Sequence, residues 1–355
     1  MTSAPNGLDL ARTCYFEVVR PLITVPHSAC LIGEGSEVLG YDTARSTDHE
    51  WGPRLQLFVN AGDVAPTLAL IDRTLPDSHR GFPTRWFSLA AGRTAHHIEV
   101  ATAEGWLAEK LPTIALTEPD PAAWLATPQQ HLLQLTAGAV FHDDLGTISR
   151  HRTSYRWYPG DVWRWMIAAQ WHLIADTEPL LGRTVETGDH RGARMLADRL
   201  GRLIMELAFL QERRYRPYDK WFGRAFTDLP GAGTLAALID AGQVDPPSLR
   251  TDGPLQRALL FLAERHNDLG ISEPVIPVIG DFAVHVNNAV RPYPVLNSRP
   301  IIEATVAAIT SSELRNLPRV GSIDQLTHAD DLLINFTGWP QVIADGYRRM
   351  LAGVG

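Results

Sequence analysis

Cysteine is scarce in this chain: 355 residues hold two, Cys14 and Cys30, each in an apolar segment. They show neither CxxC nor zinc-finger spacing, which excludes a disulfide framework and a thiolate zinc site, and free buried thiols in a reducing compartment are expected. Charge-free runs of membrane-spanning length are absent. The opening MTSAPNGLDLARTCYFEVVR also lacks the basic-then-apolar order of a secretory signal. No membrane partner is expected, and the expected location is the cytoplasm. Positive charge is in short supply, with 32 Lys and Arg against 40 Asp and Glu for a net charge of -8. No basic sheath is available for a phosphate backbone, so long nucleic acid is not an expected partner. Two glycine signatures are missing as well. No lysine follows the glycines in the spacing GxxxxGK[ST], and Gly33, Gly35 and then Val38 break GxGxxG, so the P-loop and the dinucleotide fold both drop out.

What is present is an ordinary globular composition, 45% apolar and 20% charged, without low-complexity tracts. The length exceeds what one hydrophobic core usually serves, so two domains are expected, 1–150 and 151–355. The first mixes strands and helices. Leu10, Cys14 and Val18 share a helical face that Pro21 ends, and Ala29–Ile32 is a short apolar strand running into glycines. Arg54–Val59 alternates with strand period, Asp63–Leu75 reads as a helix capped by Asp63, and Trp86–Leu89 and Ala95–Thr102 read as strands. Thr127 and Pro128 open a helix over QQHLLQLTAG, and AVFHDDLG reads as a hairpin or loop. The second half is mainly helical: Asp161–Asp176, about Arg191–Arg214, Leu255–His266, Ile301–Leu314 and Trp339–Leu351. Arg216–Gly233, rich in proline and glycine, reads as a long connection. Trp157, Trp163, Trp165 and Trp171 suit a core or a domain interface. Arg191, Arg194, Arg199 and Arg202 stand among acids and read as a solvated or salt-bridged face.

The stretch LIGEGSEVLGYDTARSTDHEWGPRLQLF concentrates the chemistry. Gly35 and Ser36 form a turn at a helix start, where unpaired N–H groups and a hydroxyl suit phosphate oxygens. Eleven residues separate Ser36 from Asp48. Asp48 and Glu50, read as lying on a strand, would point to one side, and two hard carboxylates on one face suit magnesium. His49 would face the other way and serve packing. His96 and His97, adjacent on a strand, diverge and make no metal pair, though His97 shares the face of Glu99.

Gly35-Ser36, eleven residues and Asp48-x-Glu50 together resemble the signature of the nucleotidyltransferase superfamily, whose fold is shared with DNA polymerase beta and with antibiotic-modifying nucleotidyltransferases. LIGEGSEVLGYDTARSTDHEWGPRL, FHDDLG, YPGDVWRW and RRYRPYDKWFGRAF, in that order, look like a bacterial branch of it known only as a domain of unknown function. The resemblance covers nearly the whole chain. It implies an α+β architecture: a polymerase-beta-like nucleotidyltransferase domain, a mixed sheet with flanking helices, followed by a helical domain closing the cleft. Glu50 stands where this branch often has aspartate.

The activity implied is nucleotidyl transfer with two Mg2+ ions and ATP or another NTP as co-substrate. Asp48 and Glu50 would hold the metals and orient the triphosphate. Glu99, with Glu104 and the Asp143-Asp144 turn as rivals, would be the third carboxylate, binding metal or taking the acceptor's proton. Gly35 and Ser36 would hold phosphate. Lys220, read on a loop, would either meet the triphosphate with Tyr218 and Trp221 flanking the base, or stay solvated while those aromatics dock the domains. The acceptor expected is a hydroxyl of a small molecule. A protein or RNA target, or a nucleotide-binding sensor or scaffold without catalysis, remain alternatives.

Overall fold

The computed structural model describes residues 6–89, 92–114, 119–243, 250–284 and 289–353. The chain is α+β and divides into two units, one of Met1–Pro119 with Gln129–Arg156, the other of Asp120–Pro128 with Trp157–Gly355.

In chain order, the first unit begins with α1 (Gly7–Cys14), β1 (His27–Leu31), α2 (Ser36–Leu39), β2 (Arg54–Val59) and α3 (Val64–Thr74). The two-residue strands β3 (Ser78–His79) and β4 (Phe82–Pro83) follow, then β5 (Arg85–Ser88), β6 (Arg93–Ala101) and α4 (Ala103–Lys110). After α5 (Pro121–Ala126), which belongs to the other unit, come α6 (Gln129–Thr136), β7 (Ala139–Asp143) and α7 (Thr147–Ser154).

Pro21 does not end the first helical run as expected. The run continues through Tyr15–Val19 and a tight turn at Arg20–Leu22, where proline's missing N–H costs nothing because it stands at the turn's start. Asp63 occupies the N-cap position of α3, but its backbone is already helical and its side chain makes no capping bond. AVFHDDLG is not a hairpin: its first residues pair with β1 as strand β7.

The sheet runs β5-β6-β2-β1-β7, with β2 and β6 parallel and the other neighbours antiparallel. Its centre is dry because β1 is buried along its whole length and β2 over all but Arg54. Leu55, Leu57 and Val59, three residues of one strand face, pack with Cys14, Tyr15, Val19, Ala29, Ile71 and Ile98. Both cysteines are free and buried. Burial pushes the Cys14 thiol up to about 12 and the Cys30 thiol beyond that, so neither is a nucleophile.

The second unit holds α8 (Gly160–Glu186), α9 (His190–Gln211), α10 (Asp219–Thr227), α11 (Ala232–Gly242) and α12 (Pro254–Asp268). The hairpin of β8 (Ile279–Val284) and β9 (Ala289–Leu296) interrupts them. Then come α13 (Arg299–Ala307), the short α14 (Ser312–Asn316), α15 (Ile323–Thr327) and α16 (Asp331–Asn335), and α17 (Trp339–Leu351). The first of these helices outruns its expected end at Asp176 and carries Pro179 inside it.

Trp163, Trp165 and Trp171 are buried in this unit, and the indole N–H of Trp163 donates to the Leu210 carbonyl at 2.7 Å. Leu200, Leu203, Leu207 and Leu210 form the buried stripe of α9. The single helix expected over Ile301–Leu314 is two helices. Asp161 Oδ2 accepts from the backbone N–H groups of Thr310 and Ser311, and Ser311 caps α14, so side-chain acceptors hold the chain out of helix there. Among the described residues no helix is long and apolar enough to cross a membrane.

Candidate functional site

The motif residues lie on or beside three adjacent strands, β1, β2 and β6. The β1 strand runs antiparallel to β2, and β2 parallel to β6, so the C-terminal end of β1 and the N-terminal ends of the other two share one edge of the sheet. Directly after β1, Gly33 has φ +91 and donates its N–H to the Gln134 carbonyl at 2.7 Å. Gly35 has φ +124, a backbone only glycine adopts freely, and a Cβ there would lie 2.5 Å from Arg54 Nη2 and 2.6 Å from Glu37 Oε2.

That crowding identifies what the turn is built on. Arg54 Nε donates to Glu37 Oε1 at 2.7 Å, its Nη2 also reaches the Glu34 carbonyl, and the Glu37 side chain is 4% exposed. The four-residue α2 then begins at half-buried Ser36 and ends at Gly40 in the left-handed conformation.

The Asp48-His49-Glu50 segment is not a strand. Residues Ala44–Asp48 form a tight helical turn closed by a reciprocal cap between Thr43 and Ser46, His49 is extended, and Glu50 has φ +47. Local side-chain acceptors win here over strand pairing, and Gly52 and Pro53 delay β2 until Arg54. Strand alternation therefore does not align the two carboxylates. Asp48 is exposed and accepts from His49 Nδ1 at 2.6 Å. This pairs His49 with the carboxylate and replaces the expectation that it faces away. Half-buried Glu50 accepts from Ser88 Oγ at 3.0 Å and from the Leu89 N–H at 2.5 Å.

Glu99 lies on β6 beside Gln56 of β2. Its Oε2 accepts from Gln56 Nε2 at 3.3 Å and from the Trp106 indole at 3.1 Å, while Gln56 Oε1 accepts the Ile32 N–H at 2.9 Å. A relay of hydrogen bonds thus joins the end of β1 to Glu99. His97, two residues earlier, stacks on Trp86 with centroids 3.7 Å apart. Burial lowers its pKa, opposed by the hydrogen bond of its Nε2 to the Trp86 carbonyl at 3.2 Å and by the charge of Glu50.

Lys110, one of two lysines in the chain, has a raised pKa: burial acts against the shift, and Glu109, Glu99 and Glu34 outweigh it. Its Nζ donates to its sequence neighbour Glu109 at 2.8 Å, while Glu99 and Glu34 act on it from β6 and from the Gly-Ser turn.

The rivals for the third carboxylate have other partners. Asp143 accepts from Ser28 Oγ and from the Ser149 N–H at 2.9 Å, holding the start of α7. Asp144 pairs with His142. Glu104 is exposed in the first turn of α4.

Among the described residues one group of three metal-binding side chains has its ligand atoms within 4.8 Å of one another: His27, His142 and Asp144. Asp48, Glu50 and Glu99 do not form such a group.

Lys220 lies in the second unit, exposed on the first turn of α10 rather than on a loop, with its Nζ 5.2 Å from the centroid of the Trp221 ring. The expected long connection is mostly helix, since α10 and the start of α11 fall within it. Tyr218 is its N-cap residue, and Phe222 is buried under the guanidinium groups of Arg202 and Arg216. Arg216 is itself buried, 3.7 Å from buried Asp324.

Residues 124–222 match the family model of a domain of unknown function (DUF4037). The match covers less than half of the chain and takes in Lys220 but none of Gly35, Ser36, Asp48, Glu50 or Glu99. No curated protein and no solved structure matches the chain.

Proposed function

We propose that the chain is a magnesium-dependent nucleotidyltransferase with a polymerase-beta-like first domain and a helical second one. It moves a nucleoside monophosphate, AMP from ATP in the first instance, to a hydroxyl of a small molecule and releases pyrophosphate. One observation carries this reading: the glycine-serine turn follows β1, the pair of acids stands in the turn that leads into the adjacent β2, and the third acid lies on the next strand, β6, beside Gln56 of β2.

The donor set suits the metal. Asp48, Glu50 and Glu99 offer hard oxygens only, and magnesium takes one or two protein carboxylates, completing its shell with water and substrate phosphates. A preformed cage is not required, consistent with three acids that the protein alone does not gather. When bound, magnesium neutralises triphosphate charge and stabilises the departing pyrophosphate.

In this reading the N–H groups of Gly35 and Ser36 and the Ser36 hydroxyl receive phosphate oxygens, the four-residue α2 being too short for its dipole to matter. Glu50, held by Ser88 and Leu89, keeps its orientation, while exposed Asp48 remains open to an incoming ligand. Glu99 accepts the acceptor's hydroxyl proton, and Lys110 adds a positive charge near it.

Calorimetric titration of a non-hydrolysable ATP analogue, with and without magnesium, tests the reading. Wild type should bind in a magnesium-dependent manner, and the double variant Asp48→Asn, Glu50→Gln should bind more than about a hundredfold more weakly, since removing merely a supporting partner costs 10–100-fold. Failure of wild type to bind any nucleotide would sink the assignment. A second reading, a nucleotide-binding scaffold, draws on the bonds that already occupy Glu50. Magnesium-dependent binding without label transfer from ATP to a metabolite pool would favour it.

A further inference from the structure

We propose that His27, His142 and Asp144 form a binding site for a divalent transition ion of the zinc class, separate from the acids of the nucleotide site. The register of β1 on β7 creates it. Ala29 is paired with His142 and Ser28 with Asp143. Side chains alternate along a strand, so His27, two residues from Ala29, falls on the face of His142. Asp144, two residues beyond His142, falls there too, and its N–H extends the ladder by donating to the His27 carbonyl at 3.0 Å. Ser28 and Asp143 bond to each other on the opposite face. Three ligands therefore converge without distortion.

The details match what imidazole ligation needs. His27 Nδ1 faces the Val25 carbonyl at 2.9 Å, and only an N–H is accommodated there, so the lone pair sits on Nε2. A ligand histidine is oriented in this way, by its other nitrogen donating to a carbonyl. The two imidazole centroids are 4.7 Å apart, and His142 Nε2 lies 2.7 Å from Asp144 Oδ2. Burial runs from buried His27 through half-buried His142 to exposed Asp144, which gives an ion a protein-walled floor and an approach from solvent.

Two nitrogens and one carboxylate suit zinc and its first-row neighbours, whereas magnesium and calcium prefer oxygen alone. Three protein ligands leave a fourth position for water. The Tyr15 hydroxyl, 2.9 Å from His27 Nε2, holds that lone pair until an ion takes it.

His27 starts β1, and the Gly-Ser turn follows its other end, about 16 Å of extended strand away. The ion would clamp β7, an edge strand, to β1, and would have no part in nucleotide chemistry.

The test uses the full chain stripped of metal by a chelator. ZnCl2 is titrated by calorimetry, CoCl2 is followed by its visible absorption, and melting is recorded against zinc concentration. Expected are one equivalent bound at about 1 μM or tighter, a melting temperature that rises with zinc, and at least tenfold weaker binding in His142→Ala and in Asp144→Asn. The Asp48→Asn, Glu50→Gln variant should bind zinc like wild type. His142 and Asp144 are not buried, so both ligand variants should fold, and circular dichroism verifies that. Unchanged binding in the two ligand variants overturns the proposal. So does loss confined to the Asp48 and Glu50 variant, or a folded wild type that takes up no zinc.

Discussion

At the scale of single residues, Glu178 of α8 is the most exceptional acid. It is fully enclosed, its Oε1 accepts the Leu296 N–H at 3.0 Å, and its Oε2 has no hydrogen-bond partner. Burial raises its pKa from 4.5 to about 8. The folded protein therefore keeps a proton that the unfolded chain releases between these values. Stability must fall as pH rises from about 4.5 to about 8 and level off above, by up to about 1.4 kcal/mol per pH unit for this group. Glu178→Gln keeps the shape and the acceptor but cannot ionise. Urea melts from pH 5 to 8 should show the variant gaining on wild type by a few kcal/mol at the alkaline end. A difference between the two that does not change with pH would refute the burial argument.

At the scale of elements, the end of α6 depends on a residue from α7. Arg152 Nη1 donates to the carbonyls of Leu135 and Ala137 at 2.8 and 2.6 Å, and its Nη2 to that of Thr136 at 2.9 Å, replacing the partners a helix C-terminus lacks. Arg152→Met should keep the packing and lose these bonds, costing about 2–4 kcal/mol in denaturant unfolding. A loss below about 1 kcal/mol would mean that water serves those carbonyls equally well.

The same scale shows what a sequence can disclose. β2 and α17 have the bounds read from Arg54–Val59 and Trp339–Leu351, because their apolar periods are local and unopposed. The Asp48-Glu50 segment misled because Thr43 and Ser46 bond to the backbone and pre-empt strand geometry. Lys220 reads as a loop residue because of the glycines and prolines around it, whereas α10 begins at Asp219 between them. Gly35 was legible as a turn, while its Arg54 and Glu37 footing was not. The His27, His142 and Asp144 group was invisible for a simpler reason: the pairing that creates it joins residues such as Ser28 and Asp143, 115 positions apart.

For the whole molecule, the informative fact is that the chain leaves the first unit at Asp120, forms α5 in the second, and returns at Gln129. α5 packs on α17, and Arg348 Nε meets Asp120 Oδ2 at 2.9 Å across 228 residues of sequence. Deleting residues 339–353 should strip α5 of its partner. Limited proteolysis should then cut near 119–129 at least tenfold faster than in the full chain, and equal rates would show that α5 holds itself in place. The excursion also sets a timetable for synthesis. At roughly 10 residues per second, α5 leaves the ribosome on the order of 20 s before α17. For that interval Trp124 and Leu125, buried in the finished protein, lack part of their cover. A nascent chain of this design presents a short apolar helix to chaperones for most of its translation, and slowing the ribosome over the final helices lengthens that exposure without altering the folded product.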